Sequence, residues 1–250
     1  MEYNVPLITL DYPGEQAHDE FSYDYVLSQH KLLITEMEKL SGNTLNLDRL
    51  TTLINYSKNS VLAWQNVVDL LSKYEIPPTL LFDNMSMLIT SRCKPETSEF
   101  YRLLALEIEK LPSINTSRPQ LFWLGYPLWY HAKRYLADVL QDVRICGSNY
   151  ITWWNLDYSG KDPFEQLYNA YNFTFLNLTQ KTKSEKLAAC ITKSGATGAI
   201  VLRNKSCKCD FVSARNVGLP QAEIEIDMID REFLDISQAK RQIESLLESL

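Results

Sequence analysis

Cys207 and Cys209 stand one lysine apart at the end of an apolar run, "GAIVLRNKSCKCDF" (residues 198–211), and are two of only five cysteines in the chain. Three chemistries suit such a pair: chance thiols at a buried strand end, the remnant of a disulfide, or part of a metal centre. An odd and scattered set of cysteines does not make a disulfide framework. In a reducing compartment such thiols are free or serve as ligands. The run "GAIVLR" reads as a strand whose carboxyl end opens toward a short helix. At a helix start, free N–H groups and the helix dipole stabilise a thiolate or the sulfides of a cluster. Arg203, Lys205 and Lys208 add positive potential there. One cysteine does not hold an iron–sulfur centre by itself, because such centres normally take three or four protein ligands.

The other reactive residue types are dispersed. Cys93 and Cys190 fall within helical patterns and read as small fillers. Cys146 closes the strand-like "VRIC" and reads as a buried strand residue, with a weaker alternative as a ligand facing a site. His18, His30 and His131 are isolated. "SGATGAI" lacks both the P-loop lysine and dinucleotide-binding spacing, and there is no Gly-x-Ser-x-Gly or Cys-x-x-Cys. "EIEIDMIDREFLD" is acidic enough for a divalent metal. Yet alternation of Glu223, Glu225 and Asp227 is also what a half-exposed edge strand looks like, and that reading is preferred.

The elements that must position these residues follow from periodicity. "SYDYVLSQHKLLITEMEKLSG" forms a helix stopped at Ser41-Gly42. Leu50, Leu53, Ile54, Val61, Trp64, Val68 and Leu71 mark a second, capped by Asn46 or Asp48 and ended by Pro77-Pro78. A third helical region covers residues 80–111, with a break at Lys94-Pro95. After "PSINTSRPQ" strands alternate with helices: "LFWLGYP", the helix "LWYHAKRYLADVLQD", "VRICGSNYI", two further helices, "GAIVLR", a short helix, "AEIEIDMI" and a closing helix from about Asp235. Such alternation implies a parallel sheet covered on both faces. Its functional end is the carboxyl end of the strands, where "GYP", "CGSNY", "RNKSC" and "DMID" lie. "NVPLITLDYP" at the start also looks like a strand, either an added edge or the last strand of a further domain.

The expected fold is therefore α/β: a helical segment over residues 1–118 with a leading strand, then a flavodoxin-like parallel-sheet domain over residues 119–250. A chain of 250 residues with 45% hydrophobic residues buries an ordinary soluble core. The net charge of −6 gives no footprint for nucleic acid or anionic lipid. With no membrane-length apolar run and no signal-peptide pattern, a cytoplasmic location is expected.

"GAIVLRNKSCK", "GLPQAEIEIDMID" and "SQAKRQIESLLESL" together resemble the carboxyl-terminal domain of the 2-hydroxyacyl-CoA dehydratase and benzoyl-CoA reductase subunit family. "LGYPLW", "SNYITWWNLDY" and "DPFEQLYNAYNFTFLN" are similar to its upstream segments, so the likeness covers nearly the whole chain. The resemblance implies a pair of related subunits, each carrying a [4Fe-4S] cluster on three cysteines. It also implies a separate ATP-dependent iron–sulfur activator that injects one electron. The thioester of an (R)-2-hydroxyacyl-CoA then becomes a ketyl radical and loses water to give the enoyl-CoA. On this sequence the matching cluster ligand is Cys207, with Arg203, Asn204, Lys205 and Ser206 around it. Cys209 has no counterpart and reads as a bystander, while Cys146 is a weaker candidate at an adjacent strand end. Tyr150, Trp153 and Trp154 are weak candidates to line the acyl-CoA or cluster cavity, against the plainer reading of aromatic core packing.

Two departures stand beside the resemblance. Family subunits begin with another α/β domain that supplies the remaining cysteines, and the segment from Cys207 to Gly218 looks shortened. Alternatives are a benzoyl-CoA-reductase-like subunit and a non-catalytic scaffold that binds a dehydratase partner or activator.

Overall fold

The computed structural model describes residues 6–15, 20–127, 140, 143–206 and 218–250. Cys207 and Cys209, His18 and His131, most of the expected helix after "GYP" and the expected short helix after Cys207 lie outside them.

Four helices come first: α1 (Glu20–Ser41), α2 (Leu47–Asp69), α3 (Pro78–Thr90) and α4 (Pro95–Ile108). Their limits have local causes. Asn46 accepts the Arg49 N–H at 2.8 Å and caps α2. Gly42 takes a positive φ of 69° just past α1, where a side chain would be strained. Lys94-Pro95 separates α3 from α4, as the sequence indicates, with Pro95 preset for a first helical turn. Pro77-Pro78 does not end α2, which closes earlier in a 3-10 turn over Leu70–Ser72. Instead Pro78 opens α3, the one place where its missing N–H costs nothing.

The second half alternates β1 (Gln120–Leu124), β2 (Arg144–Ser148), α5 (Pro163–Asn172), α6 (Gln180–Ser194), β3 (Gly198–Asn204), β4 (Gln221–Ile226) and α7 (Ile236–Glu248). Asp162, Thr179 and Asp235 cap α5, α6 and α7 through their side-chain oxygens. The four strands are all parallel in the order β2-β1-β3-β4. Residues 221–226 run beside β3 from Ala199 to Asn204, so β4 is an edge strand, as its alternating acids suggest. It is shorter than "AEIEIDMI", because Asp227 turns the chain by accepting the N–H groups of Ile229 and Asp230.

Both sheet faces are covered, as in a flavodoxin-like domain. Phe122, Leu124, Ala199 and Val201 meet Leu187 and Ile191 of α6. Leu121, Trp123, Ile200 and Leu202 face the other way into a core shared with α2, α3, α4 and α7. That core is continuous from Ile54 to Leu246. Trp64, fully buried on α2, donates its indole N–H to the Ile151 carbonyl just past β2 at 2.8 Å, fastening the helical layer to the sheet.

The leading strand is not found among residues 6–14. This segment directs its backbone polar groups to side chains instead. Gln29 on α1 binds both the N–H and the carbonyl of Asp11 at 2.8 Å, and Asn172 accepts the Gly14 N–H at 2.9 Å. These side-chain bonds take the N–H groups of Asp11 and Gly14 out of any strand ladder.

Candidate functional site

In a parallel sheet of order 2-1-3-4 the chain reverses its direction of winding between β1 and β3, and the crevice beyond the carboxyl ends of those two strands is the expected binding place. β1 leaves the sheet through Gly125, whose φ of 105° is open to glycine alone. A Cβ there would lie 2.7 Å from the Leu202 carbonyl of β3, so the two strand ends approach as closely as backbone permits. Asn149, buried just past β2, accepts the Gly125 N–H at 3.0 Å and donates its own backbone N–H to the Trp123 carbonyl at 3.3 Å. One side chain thus ties the β2 exit to the β1 exit.

Aromatic rings wall this side. Tyr150 meets Tyr126 with ring centroids 6.0 Å apart, and Trp153 stands perpendicular to Tyr126 at 5.1 Å while stacking on Phe175 at 5.7 Å. Burial pushes the Tyr150 phenol up to about 12, so it remains a protonated group near neutrality and not a base. Trp154 points elsewhere. Its ring lies 5.7 Å from the Arg92 guanidinium, which also donates to the hydroxyls of Tyr158 and Tyr171 and to the Leu88 carbonyl. The three aromatic candidates therefore divide: Tyr150 and Trp153 flank the β1 exit, and Trp154 packs on the helical layer.

The β3 exit carries the four residues before Cys207, each held by a different partner. The exposed Arg203 pairs with Glu223 across the β3–β4 ladder at 2.5 Å. Asn204 accepts the Ser206 N–H at 3.1 Å, while its buried amide nitrogen has no hydrogen-bond partner among the described residues. Lys205 donates its backbone N–H to Ile226 at 2.9 Å and sets its ammonium 4.4 Å from the Phe233 ring centre. Ser206 donates its hydroxyl to Asp227. Asp227 also gathers the N–H groups of Asp230 and Ile229, and these donors together hold its carboxyl down to about 2. The Asp227 brace of Ser206 escaped the sequence reading. Its only signal was an acid just past an alternating strand, and that pattern equally describes solvent exposure.

Cys146 is not at a strand end. β2 continues through Gly147 and Ser148, and Cys146 sits at the bulge opposite Leu121 and Phe122, level with Gly198 and Ala199 of β3. Its thiol donates to the Leu121 carbonyl at 3.4 Å and approaches the Ser194 hydroxyl at 3.6 Å. Burial raises its pKa, which disfavours a thiolate. From Ala199 to the end of β3 at Asn204 is five residues, about 16 Å of strand. That distance argues against Cys146 sharing a centre with the residues beyond Asn204. Among the described residues no three His, Cys, Asp or Glu side chains converge as a metal site. None of their helices is long and apolar enough to cross a membrane.

The sequence profile of the family described as 2-hydroxyglutaryl-CoA dehydratase, D-component, matches residues 1–250. The chain is similar to the (R)-2-hydroxyisocaproyl-CoA dehydratase alpha subunit of Clostridioides difficile, at 23% identity over 99% of this chain and 65% of that one. It is also similar to the alpha subunit of (R)-2-hydroxyglutaryl-CoA dehydratase of Acidaminococcus fermentans, at 24% identity over 99% of this chain and 55% of that one. The chain thus spans between about half and two thirds of the length of the curated relatives it matches.

Proposed function

The chain belongs to the 2-hydroxyglutaryl-CoA dehydratase D-component family, and from that membership we propose that it is part of a complex that removes water reversibly from an (R)-2-hydroxyacyl-CoA to give the enoyl-CoA. It works beside a related dehydratase subunit and a separate ATP-dependent iron–sulfur activator, by the ketyl-type radical route implied by the resemblance. The observation that carries this reading is the strand-end frame at the carboxyl end of β3, braced from β4 and the turn after it. Arg203, Asn204, Lys205 and Ser206 are each fixed there, immediately before Cys207.

The described residues do not by themselves make a cluster site, since no ligand set converges among them. In the proposal Cys207 supplies one ligand of a [4Fe-4S] cluster, and the other ligands come from outside the described residues. The role of the described residues is orientation and exclusion of water. Ser206 is anchored on Asp227, the Lys205 ammonium is parked on Phe233, and the Tyr126, Tyr150 and Trp153 rings close the crevice on the β1 side.

Anaerobic reconstitution tests this. The chain, a related dehydratase subunit, the activator and ATP are combined with a panel of (R)-2-hydroxyacyl-CoA thioesters, and enoyl-CoA is followed. Product is expected only when every component is present. Equal product without this chain contradicts the proposal. Full activity with the Cys207→Ala chain in its place assigns the chain a scaffold role instead.

A further inference from the structure

Away from the sheet, α1, the start of α2 and α5 enclose an open cavity of about 440 Å³, within the range of small-molecule sites. Its body is apolar, with Leu33, Ile34, Met37, Leu50, Leu53 and Phe164 around it. Polar residues also line it, and two of them bear on what it could bind. His30 also lines the cavity and is 94% buried, and its Nδ1 has no hydrogen-bond partner among the described residues. Arg49 lines the cavity too, and its guanidinium enters no ion pair among the described residues. The acid on the same wall, Glu38, is already committed to the Leu45 N–H at 2.7 Å.

The other face of the His30 ring is fixed. Its Nε2 lies 2.7 Å from the Tyr12 hydroxyl. Burial pushes the Tyr12 phenol up to about 12, so that hydroxyl keeps its proton and can donate to Nε2. In the tautomer in which Nε2 accepts from Tyr12, the imidazole proton sits on Nδ1, a buried donor without a partner among the described residues. Leaving a buried donor unmet is costly, and a ligand that accepts from it recovers that cost.

We propose that this cavity binds an aliphatic monocarboxylate, its hydrocarbon body against the leucines and Phe164, and its carboxylate accepting from His30 in the positive field of Arg49. The site stands apart from the β1–β3 crevice. Leu53 is eleven residues along α2 from Trp64, which meets the turn after β2, so about 17 Å of helix separates the two.

Titration calorimetry of the full chain with decanoate, and with the uncharged 1-decanol, tests the proposal. Saturable one-site binding of decanoate is expected. Arg49→Gln, at an exposed position, should weaken decanoate about fivefold or more and leave decanol unchanged. His30→Phe, which keeps the ring and removes its nitrogens, should weaken decanoate about tenfold, near 1.4 kcal/mol. Leu53→Trp should fill the cavity and abolish both, with circular-dichroism melting confirming that it folds. Absence of saturable decanoate binding to the wild-type chain overturns the proposal, as does decanoate affinity unchanged in both Arg49→Gln and His30→Phe. Concentration-dependent self-association that Leu53→Trp abolishes, without decanoate binding, would assign the surface to a second copy of the chain and overturn it as well.

Discussion

Asp227 shows how one residue does structural work that its composition conceals. Its carboxylate receives two backbone N–H groups and the Ser206 hydroxyl, and its pKa falls to about 2 from an unfolded value near 3.9. A depressed folded pKa means that the stabilisation is fully present above about pH 4. It is lost as pH falls from about 4 toward 2, because the unfolded chain then takes up the proton first. Urea midpoints at pH 7 and pH 3 check this: Asp227→Asn should be less stable than wild type at pH 7, with the gap narrowing at pH 3. A gap that stays constant across that window removes Asp227 from the account. Gly125 makes a second test at this scale. Gly125→Ala combines a positive φ with a Cβ 2.7 Å from the Leu202 carbonyl, and should cost about 1–3 kcal/mol in equilibrium unfolding. The sequence made the strand-end position of Arg203 to Ser206 legible, because an apolar run followed by polar residues is a local pattern. It left Trp153 and Trp154 together, although one joins the crevice wall and the other meets Arg92. It also set Cys146 at a strand end, since "VRIC" offers no sign that Gly147 and Ser148 continue the ladder.

Elements were legible wherever their causes are local. Asn46, Gly42 and the Lys94-Pro95 break act through capping, positive φ and proline geometry within a few residues, and each lies where the sequence puts it. Partner-dependent limits were not legible. Residues 6–14 carry strand-like alternation but find the Gln29 and Asn172 side chains rather than a neighbouring strand. α2 is the element on which the assembly turns, packing against α3, α4 and α5 and donating from Trp64 to the post-β2 turn. Trp64→Ala should therefore destabilise by about 3–5 kcal/mol. Trp64→Phe should cost less, through the unmet Ile151 carbonyl, about 1–3 kcal/mol. Equal, small losses for both variants in chemical denaturation would show that α2 is not the fastening between layers.

At the scale of the molecule, a parallel sheet in the order β2-β1-β3-β4 sets a crevice between β1 and β3, and β3 ends in Arg203 to Ser206, the residues that precede Cys207 in sequence. Alternating strands and helices announced the parallel sheet. The strand order was not announced, because it depends on which face each crossover covers. The shared core over α2, the sheet and α7 means that the helical layer and the sheet hold each other in place. The chain aligns over 65% and 55% of the length of two relatives named as dehydratase alpha subunits. The most direct test counts iron and acid-labile sulfide, with electron paramagnetic resonance, in the anaerobically co-purified complex carrying Cys207→Ala, Cys209→Ala or Cys146→Ala. The account predicts loss of this chain's cluster in Cys207→Ala alone, with the other two at wild-type iron content. Unchanged iron in Cys207→Ala would contradict it.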